Sequence, residues 1–218
     1  MNGIKLPILA AGALALVLLT TGTASASNRG ADMTMPSSGK VVAFHEAMDK
    51  LWSDHVEWTR AVIVDFEENL PDLKPDLARL LVNQAQIGDA IKPYYGNAAG
   101  NQLGRLLHTH IMEAVPVLTY ARDGNKARLA QALATWRANA HQIAAFLARA
   151  NPKAWPLGDM TSMMDTHLAL TTNEAVAHLE GKWKADIAAY DQVRSEILMM
   201  ADSLASGIIA QFPAKFSG

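Results

Sequence analysis

The chain has 218 residues, of which 50% are hydrophobic and 18% charged, with a formal net charge of −2 and no cysteine. The lack of cysteine excludes disulfides, thiolate metal sites and thiol nucleophiles. Because the charge is nearly balanced and no long basic run occurs, nucleic acid and anionic membrane surfaces are not expected as partners.

The first 26 residues have the pattern of a secretory signal peptide. Lys5 precedes an apolar run from Leu6 to Leu19, and the small residues 24–26 form a cleavage site. This run is shorter than the roughly twenty residues of a membrane-spanning helix, so no stable membrane span is expected after processing. We predict cleavage after Ala26 and an exported protein, periplasmic or extracellular.

Residues 27–40 are rich in glycine, serine and proline and show no apolar periodicity, which predicts a flexible lead. From residue 41 to 218 apolar residues recur every three or four positions, a pattern typical of amphipathic helices, and no strand pattern appears. The length suits one domain. We therefore predict a single all-α domain, a six-helix bundle built from three antiparallel helical hairpins.

The helices are separated by clear turn signals. The first two are predicted at about 41–68 and 75–92, with the second ending in the segment 93–96, and the third at about 101–122. The fourth ends before Asn151, the fifth before Gly181 and the sixth before Pro213. Consecutive helices then pair into the three hairpins.

Three histidines recur in this pattern. His55, His110 and His167 each lie on an apolar helix face about fourteen residues, or roughly 21 Å, ahead of a turn. The returning helix passes the same level another fourteen residues after the turn. The polar residues predicted at that level are Asn83, Asn139 and, in the third hairpin, Arg194 or Ser195.

This layer has two interpretations. The first is structural: each imidazole bonds a facing polar group, because an unpaired buried amide costs about 1–3 kcal/mol, and so fixes the register of its hairpin. The second is a metal site, in which His55, His110 and His167 converge on zinc, copper or iron. Glu113 and Glu174 project toward the same faces and are predicted to join such a site.

The sequence thus predicts an exported helical bundle whose interior His/Asn/Glu layer binds a metal ion or a small ligand. In the second case Asn83, Asn139 and Arg194 are the predicted ligand-binding residues. A metal-dependent oxidase or hydrolase and a purely structural or partner-binding envelope module stay open as alternatives. No catalytic residue, reaction or oligomeric state follows from the sequence, which has no phosphate loop, nucleophile elbow or zincin motif.

Four stretches, 54–60, 93–96, 167–174 and 211–213, resemble those of a group of small bacterial helical proteins that lack an established activity. The resemblance spans about residues 45–213 and implies a helical fold. Some members carry the label glycosyltransferase, but this chain has neither alternating strands and helices nor a nucleotide-sugar acidic motif. The resemblance implies no catalytic residue.

Overall fold

The computed structural model describes residues 38–217. These residues form six helices and no β-strand: α1 (Ser38–Glu68), α2 (Leu73–Arg122), α3 (Lys126–Ala150), α4 (Leu157–Leu179), α5 (Trp183–Gln211) and α6 (Pro213–Phe216). The predicted all-α fold is confirmed. The predicted signal peptide and most of the predicted lead lie outside the described residues, and residues 38–40 of that lead already belong to α1.

The six predicted long helices correspond to α1, two halves of α2, α3, α4 and α5. Between the halves lies Gly96, whose φ of 84° and ψ of 165° are not helical. A positive φ carries no steric cost for glycine, so the chain changes direction there. The helix continues through Pro93, where the sequence had predicted the second helix to end. The short α6 was not predicted.

The two halves of α2 fold back on each other. A Cβ atom added to Gly88 would lie 2.5 Å from the carbonyl oxygen of Gly100, twelve residues later. In a straight helix these residues would be about 18 Å apart. The halves therefore form an antiparallel pair, and the absence of side chains at both positions allows the backbones to touch.

The long helices surround a common core. Each packs against the next along the chain, and α5 also packs against α1, which closes the ring. Every long helix contributes to the main apolar cluster, for example through Trp52, Ile87, Ile143, Met164 and Ile197. The apolar faces therefore converge on a shared interior, where burial of their side chains supplies the main stabilising free energy.

The connection between α3 and α4 is part of the core rather than an exposed linker. Trp155 is 1% exposed, and its indole Nε1 donates to the carbonyl oxygen of Ser203 at 3.2 Å. Asn151 ends α3 and donates through Nδ2 to the carbonyl oxygen of Gly207 at 2.9 Å. Both contacts tie this connection to α5 and so fix where α4 begins.

Candidate functional site

The three histidines lie next to one another in the core. His55 comes from α1, His110 from the second half of α2 and His167 from α4, and none is more than 5% exposed. The ring centres of His55 and His167 are 5.7 Å apart, and those of His110 and His167 are 6.5 Å apart. His167 therefore lies beside both of the other imidazoles, and all three rings border the same two cavities.

Each histidine contacts a polar side chain 29 residues later. The Nδ1 contacts are with Gln84 Nε2 at 3.1 Å for His55, Asn139 Oδ1 at 2.9 Å for His110 and Glu196 Oε2 at 3.0 Å for His167. The equal spacing indicates that the three helix pairs share one register. Asn139 is the partner of His110, as the sequence predicts.

The other two predicted partners lie elsewhere. Asn83 is buried but donates to the carbonyl oxygen of Leu51 at 2.9 Å, one residue before the true partner Gln84. Arg194 is exposed, two residues before the true partner Glu196. The predicted interval of 27 or 28 residues is too short, and one residue turns a helical side chain by about 100°.

The hydrogen bonds of Asn139 fix the tautomer of His110. Asn139 Nδ2 donates to the carbonyl oxygen of Leu106 at 3.2 Å, so Oδ1 faces His110 and can only accept. His110 Nδ1 therefore carries the proton. Its Nε2 is left with a lone pair, and this atom is buried without a hydrogen-bond partner.

His55 has the opposite arrangement. Gln84 Nε2 lies 3.0 Å from the carbonyl oxygen of Leu80 and 3.1 Å from Asn83 Oδ1, and both are acceptors. This end of the Gln84 side chain is therefore the amide nitrogen, whose two hydrogens are shared among these two oxygens and His55 Nδ1. The proton of a neutral His55 then lies on Nε2.

His167 is held by a carboxylate. Glu196 is 6% exposed, and its Oε2 accepts from His167 Nδ1, while its Oε1 is buried without a partner. A carboxylate that accepts from Nδ1 leaves Nε2 of a neutral imidazole free as a ligand, the arrangement common in metal sites. Nε2 of His110 has no hydrogen-bond partner, Nε2 of His167 lies on the side of the ring away from Glu196, and each ring is oriented by a polar side chain.

Burial keeps two of the histidines neutral. It lowers the pKa of His110 to about 3, with a further decrease from nearby His167 and an opposing increase from the Asn139 hydrogen bond. Burial also lowers the pKa of His55 well below its usual value, with additional contributions from His167 and His110. At neutral pH both rings are therefore uncharged.

Two cavities border this layer. One, of about 30 Å³, is lined by all three histidines and by three methionines, Met48, Met164 and Met200. The other, of about 70 Å³, is lined by the same histidines and by residues that include Trp136, Thr59 and Thr171. Both threonine hydroxyls donate to histidine carbonyl oxygens, Thr59 to His55 at 2.7 Å and Thr171 to His167 at 2.9 Å.

The spacing of the rings limits how a metal ion could bind. With metal–nitrogen bonds near 2.0 Å, ring centres around one tetrahedral or trigonal ion lie about 5.2–5.5 Å apart. The His55–His167 spacing of 5.7 Å is close to this, and the His110–His167 spacing of 6.5 Å is longer. In the described part of the chain, the only three ligand groups within 4.8 Å of one another are Asp65, Asp72 and Asp76. For a three-histidine site the rings would have to move closer together, whereas a two-histidine site requires a smaller movement of the side chains.

Glu174 lies in a buried ionic network beside the layer. Arg60 Nη1 donates to Glu174 Oε1 at 3.0 Å, and the same guanidinium binds both carboxylate oxygens of Asp186. His178 Nδ1 contacts Asp186 Oδ2 at 3.0 Å. Arg60 on α1 is therefore the cation that pairs with Glu174, and Arg194 is exposed.

The two carboxylates of this network respond differently to their surroundings. Burial raises the pKa of Glu174 despite the opposing effect of Arg60. The hydrogen bonds from Arg60, and then that from His178, lower the pKa of Asp186 although its burial acts in the opposite direction. Asp186 is therefore the main anionic partner of Arg60.

Glu113 lies apart from the histidines. It lines a surface pocket with Pro116, Tyr120 and Arg128, between α2 and α3, and it lines neither histidine cavity. Burial raises the pKa of Glu113, and its Oε2 is buried without a partner. Of the two glutamates predicted to join the histidines, only Glu174 approaches them, since its charge interacts with His167.

Comparison with known proteins gives no assignment, since no protein-family profile, curated protein or solved structure matches this chain. The resemblance of residues 45–213 to a group of small bacterial helical proteins therefore stays a prediction. None of the described helices is long and apolar enough to cross a membrane.

Proposed function

We propose that this protein binds one copper ion, in the cuprous state, at the interior histidine layer. The observation that carries the proposal is that His110 and His167 are each oriented through Nδ1 by a polar side chain, next to a 30 Å³ cavity that three methionines line. Thioethers are soft ligands that favour Cu(I), and imidazole also suits copper. Methionines at helical spacing are common in cores, but here they meet the histidines at one cavity.

His110 and His167 are the proposed nitrogen ligands. Each would bind the ion through Nε2, while Asn139 and Glu196 orient the two rings by hydrogen bonds at Nδ1. Two imidazoles on opposite sides of one ion have ring centres about 6.3 Å apart for bonds near 2.0 Å, close to the 6.5 Å between these rings. Cu(I) accepts such low coordination, and Met164 is the proposed thioether neighbour.

Charge balance also supports a monovalent ion. A buried cation is stable only beside a compensating charge, and the Glu196 carboxylate is hydrogen-bonded to one proposed ligand. Both His55 and His110 are neutral near pH 7 because burial lowers their pKa values. Cu(I) with one carboxylate leaves the layer without net charge. Export is part of this proposal on the strength of the signal-peptide pattern in residues 1–26 alone.

Competitive titration tests the copper site. Metal-free protein is titrated with Cu(I) under anaerobic conditions against a chromogenic chelator, and we expect one ion per chain. His110→Gln should weaken Cu(I) binding at least about 100-fold, because it removes a ligand. His108→Gln changes an exposed histidine two residues earlier in the same helix and should leave the affinity unchanged.

X-ray absorption at the copper edge should then show both nitrogen and sulfur neighbours. Trp52 contacts His55 and Trp136 contacts His110, so the tryptophan fluorescence should fall when copper binds. Equal affinity in wild type and His110→Gln would contradict the proposal. Retention of zinc or iron in place of copper by protein from its native host would contradict the choice of metal.

A small hydroxyl-bearing ligand is a second candidate, favoured by the 70 Å³ cavity. This cavity is lined by His110 and Trp136, and neither His110 Nε2 nor Trp136 Nε1 has a hydrogen-bond partner. One hydroxyl group could donate to the first and accept from the second. Addition of methanol should then shift the NMR signals of both rings, and Trp136→Phe should abolish the shift at His110. Unchanged signals would exclude this candidate.

A further inference from the structure

Three aspartates meet where α1 is followed by α2. Asp65 lies in the last turn of α1, Asp72 directly precedes α2 and Asp76 lies in its first turn. One oxygen from each carboxyl group lies within 4.8 Å of the other two. This cluster is separate from the histidine layer and contains none of the residues proposed there.

One oxygen of the buried member of the cluster lacks a hydrogen-bond partner. Asp65 is only 5% exposed, and its Oδ2 is buried without a hydrogen bond. Leaving a buried carboxylate oxygen unpaired is costly, because it loses its hydration without replacement. Burial, then the charge of Asp72, then a side-chain hydrogen bond with Asp76 and the charge of Asp76 raise the pKa of Asp65.

Neighbouring groups do not neutralise the cluster. Within residues 38–217 none of the three aspartates takes part in an ion pair. Arg122, which reaches the same turn, donates instead to the carbonyl oxygen of Phe66 at 2.9 Å. Asp72 is at the N-cap position of α2 but makes no capping hydrogen bond through its side chain. Helix capping therefore does not account for its carboxylate.

We propose that Asp65, Asp72 and Asp76 bind a calcium ion. Carboxylate oxygens are ligands for hard cations, and Ca²⁺ accepts six to eight oxygens at about 2.3–2.6 Å in irregular geometry. Three carboxylate oxygens within 4.8 Å of one another can share such an ion, whereas Mg²⁺ requires near-octahedral order and retains most of its water. Because Asp72 is exposed, water has access to the remaining coordination positions.

The bound ion would fasten α1 to the start of α2. Three carboxylates from both sides of the connection would share one cation, which removes their mutual repulsion. A cation that binds only the folded state raises its stability by mass action. With three protein carboxylates and solvent water, the affinity should fall in the range of weaker calcium modules, with Kd about 10⁻⁵ to 10⁻³ M.

Calorimetry and thermal unfolding of the purified protein, stripped with chelator, test this site. Calcium chloride should bind with one site per chain and raise Tm by about 4 °C at tenfold excess over Kd. Asp65→Asn should abolish both effects. This variant should also unfold at a Tm no lower than metal-free wild type, because the amide has the same shape and removes one of three repelling charges.

Asp191→Asn is the matched control, since it makes the same chemical change at an exposed residue of α5. It should keep the full calcium response. The proposal is overturned if calcium leaves the wild-type Tm unchanged, if Asp65→Asn responds as strongly as wild type, or if magnesium chloride has the same effect as calcium chloride. Copper binding at the histidine layer should be unaffected by Asp65→Asn, so the two sites can be tested separately.

Discussion

A one-residue difference in spacing decides which side chains reach the histidines. His55, His110 and His167 each find their partner 29 residues later, in Gln84, Asn139 and Glu196. A polar residue two positions from the true partner points to another face of the helix, as exposed Arg194 does. The chemistry of the layer therefore depends on register within one residue.

Arg60 is the residue for which we expect the largest effect on stability outside the apolar core. It binds Glu174 and Asp186, which are 1% and 2% exposed. Arg60→Met leaves two buried carboxylates without their cation, so the free energy of unfolding at pH 7 should fall by about 3 kcal/mol. Urea denaturation measures this loss.

The control for Arg60 is an exposed ion pair. Arg137 Nη2 contacts Asp165 at 2.6 Å, and the Arg137 side chain is 60% exposed. Arg137→Met should change stability very little, because water screens and solvates such a pair. Similar losses in the two variants would show that burial is not what gives the Arg60 network its importance.

At the scale of the helices, the doubled-back α2 makes its own prediction. Gly88→Ala would place a Cβ atom 2.5 Å from the carbonyl oxygen of Gly100, and backbone atoms cannot move aside as a flexible side chain can. The two halves of α2 would be forced apart. We expect a loss of about 1–3 kcal/mol in the free energy of unfolding, measured by urea denaturation.

Gly158→Ala provides the comparison for the Gly88 substitution. A Cβ atom at Gly158, in the first turn of α4, meets nothing within 4 Å. Alanine there restricts the unfolded chain without creating a clash, so stability should stay the same or rise by up to about 1 kcal/mol. A loss as large as that of Gly88→Ala would mean that glycine is needed for another reason.

For the whole molecule, the neutral histidines predict a loss of stability in acid. Folding lowers the pKa of His110 to about 3 and that of His55 below its usual value, whereas unfolded histidines titrate near 6.5. Below about pH 6.5 the unfolded state therefore binds protons that the folded state does not. Each histidine should reduce the stability of metal-free protein by about 1.4 kcal/mol per pH unit.

The contribution of His110 is isolated by difference. Urea denaturation of wild type and His110→Gln is compared between pH 6 and pH 4.5, so that contributions from the carboxyl groups cancel. The slope of stability against pH should be smaller in the variant by about 1.4 kcal/mol per pH unit. Identical slopes would mean that His110 gains a proton within the folded protein.

Local periodicity was sufficient to predict the all-α fold and most helix ends. The turns after Glu68 and Arg122 follow from their neighbouring residues, as does the end of α5 before Pro213. The reversal at Gly96 was predicted as a boundary between two helices. The close backbone contact between the two halves of α2 was not predicted, because the approach of Gly88 to Gly100 depends on how the halves pack.

The sequence alone also placed three histidines at one depth and named Asn139 as a partner, since depth follows from counting residues to a turn. Only the tertiary structure decided that the rings gather, because this requires α5 to close the ring against α1. The tertiary structure also decided that the polar partners are Gln84, Glu196 and Arg60. The direction of a side chain turns by about 100° per residue along a helix, so which residues face each other depends on how the helices are aligned. The sequence therefore determined the depth of the site in the bundle, and helix packing determined which side chains meet there.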